Sequence, residues 1–366
     1  MVKAKEPTGD AGISKILGSN AVAKIKKDWG DTIFTRASEM GVVSTPRIPT
    51  GIFNLDYALG GGFPVGRVNV VWGHKSASKT TTFLHTIANA QKMCAHCWHF
   101  APCNCGEYRP PVCAFLDVEG TLDLPWAARI GVDLDNLLLS VPEYAEQTLD
   151  IGETVVREGV DILVIDSIAF LTPHKEIEQS VAQETVGLQA RLVGKGTRKF
   201  VSAINARKNE TGQGPTLLFT NQVRMKVGVM FGSPETQPGG MAHGFAASTE
   251  TRLSPGKFEM DDVLGKPISA SFGFKVDKNK VSEAKMEGEF KMCFMDTEYR
   301  RQGQPMNEAD IISWGERVGL VEGGGSAWSA LGEKYKSKSL IEKRLVEEPD
   351  YRKKLGDAVM SLLLNK

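Results

Sequence analysis

The chain has 366 residues, of which 41% are hydrophobic and 24% charged, the balance of an ordinary folded protein. Its 44 basic and 44 acidic residues give a formal net charge of zero, which argues against nucleic-acid binding through overall positive charge. Residues 1 to 10 lack the apolar core of a signal peptide, and no apolar run approaches the length of a membrane span. We therefore expect a soluble, intracellular protein without membrane contact.

The predicted elements begin with a polar, lysine-rich arm over residues 1 to 45, in which helical spacing appears at 21–29. Residues 46 to 300 alternate between strand-like and helix-like segments. The strands are predicted at 67–72, 112–117, 162–166 and 216–221, and the helices at 80–93, 124–130, 147–158 and 185–201. This alternation predicts an α/β core with a mostly parallel sheet and helices on both faces.

Residues 301 to 366 are predicted to form a small C-terminal domain. The run Gly323, Gly324 and Gly325 is interpreted as the boundary of its last part, and the residues from about 326 onward are predicted to be helical.

A segment rich in small residues, 73–80, follows a predicted strand and opens a predicted helix, which is the setting of a phosphate-binding loop. Unsatisfied backbone N–H groups at a helix N-terminus favour anions. Lys79 would reach the β- and γ-phosphates, and the Thr80 hydroxyl would bind Mg²⁺. The predicted nucleotide residues of this segment are Gly73, Ser76, Ala77, Ser78, Lys79, Thr80 and Thr81. The competing interpretation is a helix cap rich in Ser and Thr.

Polar side chains also end the neighbouring predicted strands. Asp166 follows the apolar run 162–165, in the position of a carboxylate that holds Mg²⁺, and Glu119 follows the strand at 112–117, where it would activate the attacking water. Gln222 follows a further strand and carries an amide that can sense a γ-phosphate without repelling it. Any one of these is common at a strand end, whereas the set predicts a site for phosphate chemistry.

The segments 48–67 and 166–178 and the string from Asn221 to Gly240 together resemble the RecA family of recombinases (RecA/UvsX-like). The most specific part is 221–232, which is similar to the second DNA-binding loop of that family. The resemblance covers roughly residues 45 to 350. It implies a RecA-like ATPase that uses ATP and Mg²⁺, forms helical homo-filaments on single-stranded DNA, and exchanges strands with homologous double-stranded DNA in recombination and repair.

The resemblance also implies roles for individual residues. Lys79, Thr80 and Asp166 match phosphate and magnesium residues, Glu119 matches the catalytic glutamate, and Gln222 matches the residue that links the γ-phosphate to the DNA loop. Asp123 and Trp126 match adenine contacts. Lys278, Lys280 and Phe245 match residues of the neighbouring protomer's interface, the two lysines reaching its ATP, and the arm 1–45 would carry the polymerisation helix. The DNA-contacting positions are Arg191, Arg198, Arg224, Gly239 and Gly240.

Three departures from the family pattern favour a divergent or phage-encoded recombinase in a bacterial cytoplasm. Ser78 replaces the usual glycine before the lysine, Gly244 replaces a lysine, and the chain ends without an acidic tail. If position 78 needs positive φ, a non-glycine there costs about 1–2 kcal/mol. Alternative functions are a hexameric helicase with the same ATPase core and a non-hydrolysing DNA-binding mediator. A metal-dependent nuclease is a more distant one, because the required carboxylate cluster is missing from the sequence.

Four of the six cysteines lie close together in an insertion at residues 93–108. Cys94 and Cys97 have a familiar metal-ligand spacing, Cys103 and Cys105 a rarer one, and His96 and His99 are alternative ligands. We predict a structural zinc site, against a metal-free loop or a redox pair. A second local feature is the basic run 191–208, which has no acidic residue and is read either as a DNA patch or as a solvated helix face.

Overall fold

A computed structural model describes residues 18–30, 45–180, 187–225 and 234–365. Contacts divide the chain into two units, Met1–Thr45 and Pro46–Lys366. In the first unit, helix α1 spans Ser19–Trp29, so the predicted helix is confirmed and begins two residues earlier. Lys26 and Lys27 lie in its last turn, where positive charge favours the helix dipole. The rest of the predicted arm lies outside the described residues.

The second unit is built on an eight-stranded sheet. Its strands, in spatial order, are β12 (Glu287–Cys293), β11 (Pro267–Asn279), β10 (Thr249–Met260), β3 (Val68–Gly73), β7 (Thr216–Gln222), β6 (Ile162–Asp166), β4 (Cys113–Asp117) and β5 (Leu137–Ser140). The six strands from β10 to β5 are parallel, whereas β11 and β12 continue the sheet as antiparallel hairpins. The predicted mostly parallel α/β core is therefore confirmed.

Helices cover both faces of the sheet, because side chains alternate between two cores along the buried strands. On β4, Phe115 belongs to one hydrophobic core and Leu116 to the other. The helices of the core are α2 (Phe53–Leu59), α3 (Lys79–Ala90), α4 (Leu124–Ile130), α5 (Ala145–Glu158), α6 (His174–Glu178), α7 (Leu188–Thr211) and α8 (Ala242–Ala246). Two short strands, β1 (Arg47–Ile48) and β2 (Phe63–Pro64), pair beside α2. None of the described helices is both long and apolar enough to cross a bilayer.

Helix α7 is ten residues longer at its C-terminus than the predicted helix. It runs on to Thr211 because the first residue that stops it is Gly212, whose φ of +79° ends the helix in the left-handed conformation. The start of the predicted helix, at residues 185 and 186, lies outside the described residues.

The C-terminal part differs from its prediction. It contains α9 (Glu308–Val318), a small sheet of β13 (Val321–Gly324), β14 (Ala327–Ala330) and β15 (Glu333–Tyr335), then α10 (Lys338–Glu347) and α11 (Pro349–Leu364). The prediction of helix from 326 onward was wrong as far as residue 335. The glycines at 323–325 do not mark a boundary; they form a hairpin, in which a Cβ on Gly323 would lie 2.3 Å from the Ala327 carbonyl oxygen.

The short strands β8 (Arg224–Met225) and β9 (Glu235–Thr236) pair antiparallel directly after β7. They form a two-stranded stem at the base of the predicted second DNA-binding loop. Residues 226–233 of that loop, and residues 181–186 of the segment after β6, lie outside the described residues.

Candidate functional site

The carboxyl ends of β3, β7, β6 and β4 lie side by side, which is where open α/β sheets bind ligands. The loop from β3 to α3 forms the centre of this edge. Gly73 must be glycine, because a Cβ there would lie 2.0 Å from the Leu253 carbonyl oxygen. Ser78 has φ of +63°, as expected if the position needs positive φ, and Ser76 has +57°. The loop therefore holds two strained serines ahead of the helix.

Lys79 begins α3, and its ammonium group is turned back onto the loop. The Nζ atom donates to the carbonyl oxygens of His74 at 2.7 Å and Gly73 at 3.3 Å. Burial lowers the pKa of Lys79, and the neighbouring carboxylates of Asp166 and Glu119 oppose that shift. The cation is thus held inside the loop that would surround a phosphate.

Asp166 ends β6 and is buried among hydroxyl groups. Its Oδ2 atom accepts a hydrogen bond from Thr80 Oγ1 at 2.5 Å, and its Oδ1 atom accepts one from Thr220. Burial raises the pKa of Asp166, while the two threonine hydroxyls favour the ionised form. A carboxylate and a hydroxyl oxygen that already touch each other are a donor set suited to Mg²⁺, which prefers oxygen ligands.

A cavity of about 160 Å³ opens beside this pair. Among its lining residues are five of the predicted nucleotide residues, Thr80, Thr81, Asp123, Trp126 and Asp166. The Asp123 carboxylate accepts a hydrogen bond from the backbone N–H of Trp126 at 3.1 Å and so caps helix α4. One of its oxygens is therefore engaged in the fold, and the Trp126 ring is placed at the cavity wall.

Glu119 lies just beyond β4, between the cavity and the stem. Its Oε1 atom accepts hydrogen bonds from Ser167 Oγ at 2.8 Å and from Gln222 Nε2 at 3.2 Å. The Gln222 Oε1 atom in turn accepts a hydrogen bond from Arg224 Nη1 at 3.3 Å. A chain of contacts therefore leads from the predicted water-activating carboxylate to the first strand of the stem. Ser167 directly follows Asp166, but its contact with Glu119 depends on the fold and has no signal in the sequence.

Asn221 is fully buried next to Gln222 and fixes the far side of the stem. Its Nδ2 atom lies 3.1 Å from Gln237 Oε1 and 3.1 Å from the Pro238 carbonyl oxygen, and 3.2 Å from His243 Nε2. Burial lowers the pKa of His243 to about 4, so the ring is neutral near pH 7. Gln237 and His243 were missed by the sequence analysis because only the fold brings them to the end of β7.

The predicted DNA-contacting residues gather near the stem and the start of α7. Arg191 and Arg198 are exposed on α7, and Arg224 is exposed on β8. Gly239 has φ of +82°, and a Cβ there would lie 2.7 Å from Ile168 Cγ2, so the segment after the stem packs closely onto the segment after β6. Gly240 approaches α7 in the same way, since a Cβ added to it would lie 3.2 Å from the Ala190 Cβ.

Part of the basic run is neutralised. The Lys199 Nζ atom lies 2.6 Å from Glu153 Oε2, and the Arg207 Nη1 atom lies 3.4 Å from Glu210 Oε2. The positive charge of α7 is therefore concentrated toward its first half, the half nearer to the stem.

Lys278 and Lys280 lie at the opposite edge of the sheet, where the parallel strands begin. Lys278 pairs with Glu250, which is in register with Val70 near the start of β3. The predicted phosphate loop, residues 73–80, instead follows the end of β3. The Lys278 Nζ atom donates to the Gly244 carbonyl oxygen at 2.6 Å. On the same edge, the Phe245 side chain of α8 is 71% exposed. The structure therefore separates these three residues from the phosphate loop of their own chain.

The four cysteines of the insertion come together. The Sγ atoms of Cys94, Cys97, Cys103 and Cys105 lie within 4.8 Å of one another. Cys105 Sγ is 3.6 Å from Cys94 Sγ and 3.3 Å from Cys103 Sγ. Sulfurs arranged tetrahedrally at about 2.3 Å from zinc stand about 3.8 Å apart, so the cluster fits that ion. Within the described residues, His96 and His99 stay outside this group.

The insertion is anchored to the core by a tryptophan and a glutamine. Trp98 is 5% exposed, and its Nε1 atom donates to Gln213 Oε1 at 3.0 Å. Gln213 Nε2 donates in return to the His96 carbonyl oxygen at 2.6 Å. The cysteine cluster is therefore tied to the end of α7, at the edge of the sheet away from the phosphate loop.

Comparison with known proteins gives one consistent result. A family model described as the RecA N-terminal domain matches residues 15–297. The protein RecA of Cutibacterium acnes is 37% identical over 349 residues, covering 94% of this chain and 91% of that protein. The protein RecA of Campylobacter fetus is 37% identical with 93% of both chains covered, and that of Methylobacterium is 39% identical over 328 residues, 88% of this chain and 81% of its own. The chain therefore belongs to the RecA family.

Proposed function

We propose that this protein is a DNA-dependent ATPase that forms helical filaments on single-stranded DNA and catalyses homologous pairing and strand exchange. The observation that carries the proposal is the chain of contacts Glu119, Gln222 and Arg224. By two hydrogen bonds it connects the carboxylate that would activate water with the base of the predicted DNA loop. Such a connection is what an ATPase needs if DNA and nucleotide are to influence each other's binding.

The nucleotide half of the proposal rests on the edge of the sheet where Lys79, Thr80 and Asp166 meet. ATP would place its phosphates in the loop 73–80 and its adenine toward Asp123 and Trp126, in the cavity that these residues line. Thr80 and Asp166 would hold Mg²⁺, directly or through water, and the ion would neutralise phosphate charge. Glu119 would orient and deprotonate the attacking water, and Gln222 would sense the γ-phosphate.

The DNA half rests on exposed arginines and close-packed glycines. Arg191, Arg198 and Arg224 offer charge to the phosphate backbone, and Gly239 and Gly240 allow the backbone of the second loop to approach α7. Contacts of this kind grip a strand with little sequence preference and leave its bases free to pair with a duplex.

The separation of the two sheet edges supports self-assembly. Lys278 and Lys280 lie away from their own phosphate loop, and they would serve the ATP of a neighbouring protomer, with Phe245 in the contact. An interface that joins one edge to the other is heterologous, and it would build an open helical filament where the rotation between protomers does not close a ring. In this assignment, residues 1–45 form the polymerisation arm, 46–300 the ATPase core and 301–366 the C-terminal domain.

We also propose a structural zinc ion held by Cys94, Cys97, Cys103 and Cys105. The distances between their sulfur atoms support it, as does the anchoring of the insertion through Trp98. Zinc bound by four thiolates would hold together a loop that has little hydrophobic core of its own.

Strand exchange tests the proposed function. Circular single-stranded DNA and a homologous linear duplex, incubated with the full chain, ATP and Mg²⁺, should yield joint molecules and nicked circles, whereas a non-homologous duplex should not. Electron micrographs should show open helical filaments. Closed rings would support the hexameric helicase, and DNA binding without phosphate release would support the mediator.

A further inference from the structure

The phosphate loop carries one side chain with a partner outside the ATP site. His74, the second residue of the loop, is half-exposed, and its Nε2 atom lies 2.9 Å from Glu235 Oε1. In the tautomer with a proton on Nε2, the ring donates to that carboxylate. The Glu235 side chain is only 13% exposed, so this contact is made mostly out of water.

Glu235 belongs to the stem of the second DNA loop. It lies on β9 opposite Met225 of β8, and the two strands enclose residues 226–233. A backbone contact lies close by, because the N–H of Val223, the residue between β7 and the stem, donates to the Gly73 carbonyl oxygen at 3.2 Å. The start of the phosphate loop is therefore held beside the stem by the main chain, and His74 adds a side-chain link to the stem itself.

The carboxylate of Glu235 is also fixed from the other side. Its Oε2 atom lies 2.5 Å from Arg252 Nη2 on β10, and the guanidinium of Arg252 stands 5.5 Å from the ring centre of Trp72. Arg252 and Trp72 are both on strands of the sheet, so they form a rigid support for the stem. His74 lies instead on the loop whose serines, Ser76 and Ser78, adopt left-handed conformations around the phosphate position.

We propose that His74 is a positioning residue that couples the phosphate loop to the stem of the second DNA loop. Closure of the loop around a nucleotide sets the position of His74, and the hydrogen bond to Glu235 carries that position to the stem. This link is separate from the one through Gln222, which contacts Glu119. The inference rests on the proposed function, and it makes the affinity for single-stranded DNA depend on the bound nucleotide.

A double-mutant cycle tests the coupling. The Kd of the full chain for oligo(dT) is measured with saturating ADP and with a saturating non-hydrolysable ATP analogue, and their ratio is the coupling factor. His74→Ala and Glu235→Ala should each reduce the ratio roughly 5-fold or more, and the double variant should reduce it no further. His74→Gln, which keeps an N–H donor, should retain most of the ratio.

His99→Ala is the matched control, since His99 is an exposed histidine outside both the loop 73–80 and the cysteine cluster, and it should leave the ratio near that of wild type. Additive effects of the His74 and Glu235 variants, or an unchanged ratio in His74→Ala, would overturn the inference. If the wild-type protein binds oligo(dT) with the same Kd in ADP and in the ATP analogue, the proposed function itself is refuted. The two failures are therefore distinguishable. Thermal unfolding of each variant identifies any that fail to fold.

Discussion

Gln222 Nε2 donates a hydrogen bond to Glu119 Oε1 across 3.2 Å, and so joins the end of β7 to the segment that follows β4. These are separate strands of the sheet, with β6 between them. The contact joins a residue next to the stem to the carboxylate that we propose activates water. In the proposed function, it would make hydrolysis depend on the position of the predicted DNA loop.

Replacing Glu119 with Gln should abolish hydrolysis while leaving nucleotide and DNA binding in place. A glutamine is similar in shape but cannot accept the proton of water, and general-base catalysis contributes about 10²- to 10⁴-fold. Phosphate release should fall by that factor, whereas oligo(dT) affinity with ATP should be retained. The exposed Glu143→Gln variant should behave as wild type. Equal losses in hydrolysis and in DNA affinity would show that Glu119 is structural.

Replacing Asp166 with Asn should weaken the use of Mg²⁺. The variant loses the negative charge that accompanies the Thr80 hydroxyl at the predicted metal position. Titration of phosphate release with MgCl₂ should show a half-saturating concentration at least about 10-fold higher, in line with the loss of one charged ligand. The exposed Asp262→Asn variant is the control. An unchanged magnesium curve would exclude Asp166 from the metal site.

Lys278 and Lys280 should act on the ATP of a neighbouring protomer, because they lie at the sheet edge away from their own phosphate loop. The double variant Lys278→Ala/Lys280→Ala and the variant Lys79→Ala should each be inactive. An equal mixture should regain activity, since random assembly at a heterologous interface gives about a quarter intact sites. A mixture as inactive as its components would mean that the lysines do not act across protomers.

The purified full chain should contain about one zinc ion per molecule by elemental analysis. Cys97→Ser and Cys103→Ser should each lose the ion. Each should also melt at a lower temperature, by the amount that a chelator lowers the melting temperature of the wild-type protein. Cys113→Ala is the control, because Cys113 is buried in β4 and outside the cluster. The site would be excluded by two results together: the protein stays metal-free after expression and purification with added zinc, and it melts at the same temperature with and without chelator.

His85 should make folding sensitive to acid. Burial lowers its pKa to about 4, although the ring contacts the Gly303 carbonyl oxygen at 2.7 Å. The unfolded chain therefore binds more protons between about pH 4 and pH 6.5, so the His85 contribution is complete above 6.5 and is lost as the pH falls. From pH 7 to pH 5 the free energy of unfolding should drop by about 1–2 kcal/mol on account of His85.

The comparison with His85→Gln isolates that contribution. Asp56 acts in the opposite direction, because burial raises its pKa to about 7, so the total pH dependence is a sum of both signs. Urea unfolding at pH 5 and pH 7 should show a smaller loss on acidification in His85→Gln than in wild type. Equal losses in the two proteins would show that His85 is not the titrating group.

The core of the fold could be predicted from the sequence because its strands are short apolar runs ended by polar residues. The run 162–166 is both the predicted and the observed strand β6. The sheet β13–β15 could not be predicted in this way, because strands of three or four residues are too short to show alternation. Its hairpin glycines therefore looked like a linker.

The residues of the candidate site likewise fall into those that the sequence predicted and those that it did not. Residues within one motif, such as Lys79 and Thr80, were recognisable from spacing, and the place of Ser78 before the lysine raised the question of positive φ, which the structure answers with +63°. Ser167, His243 and the pair of His74 with Glu235 were not, because their roles depend on contacts between distant segments. Only the register of the sheet brings those segments together.

Phosphate release from ATP, measured with and without single-stranded DNA, tests the central claim most directly. We expect hydrolysis by the wild-type protein to be strongly stimulated by DNA and to be lost in Lys79→Ala. If the wild-type protein binds DNA but releases no phosphate, with or without DNA, then the loop containing Ser78 does not support hydrolysis and the protein is not a recombinase-type ATPase.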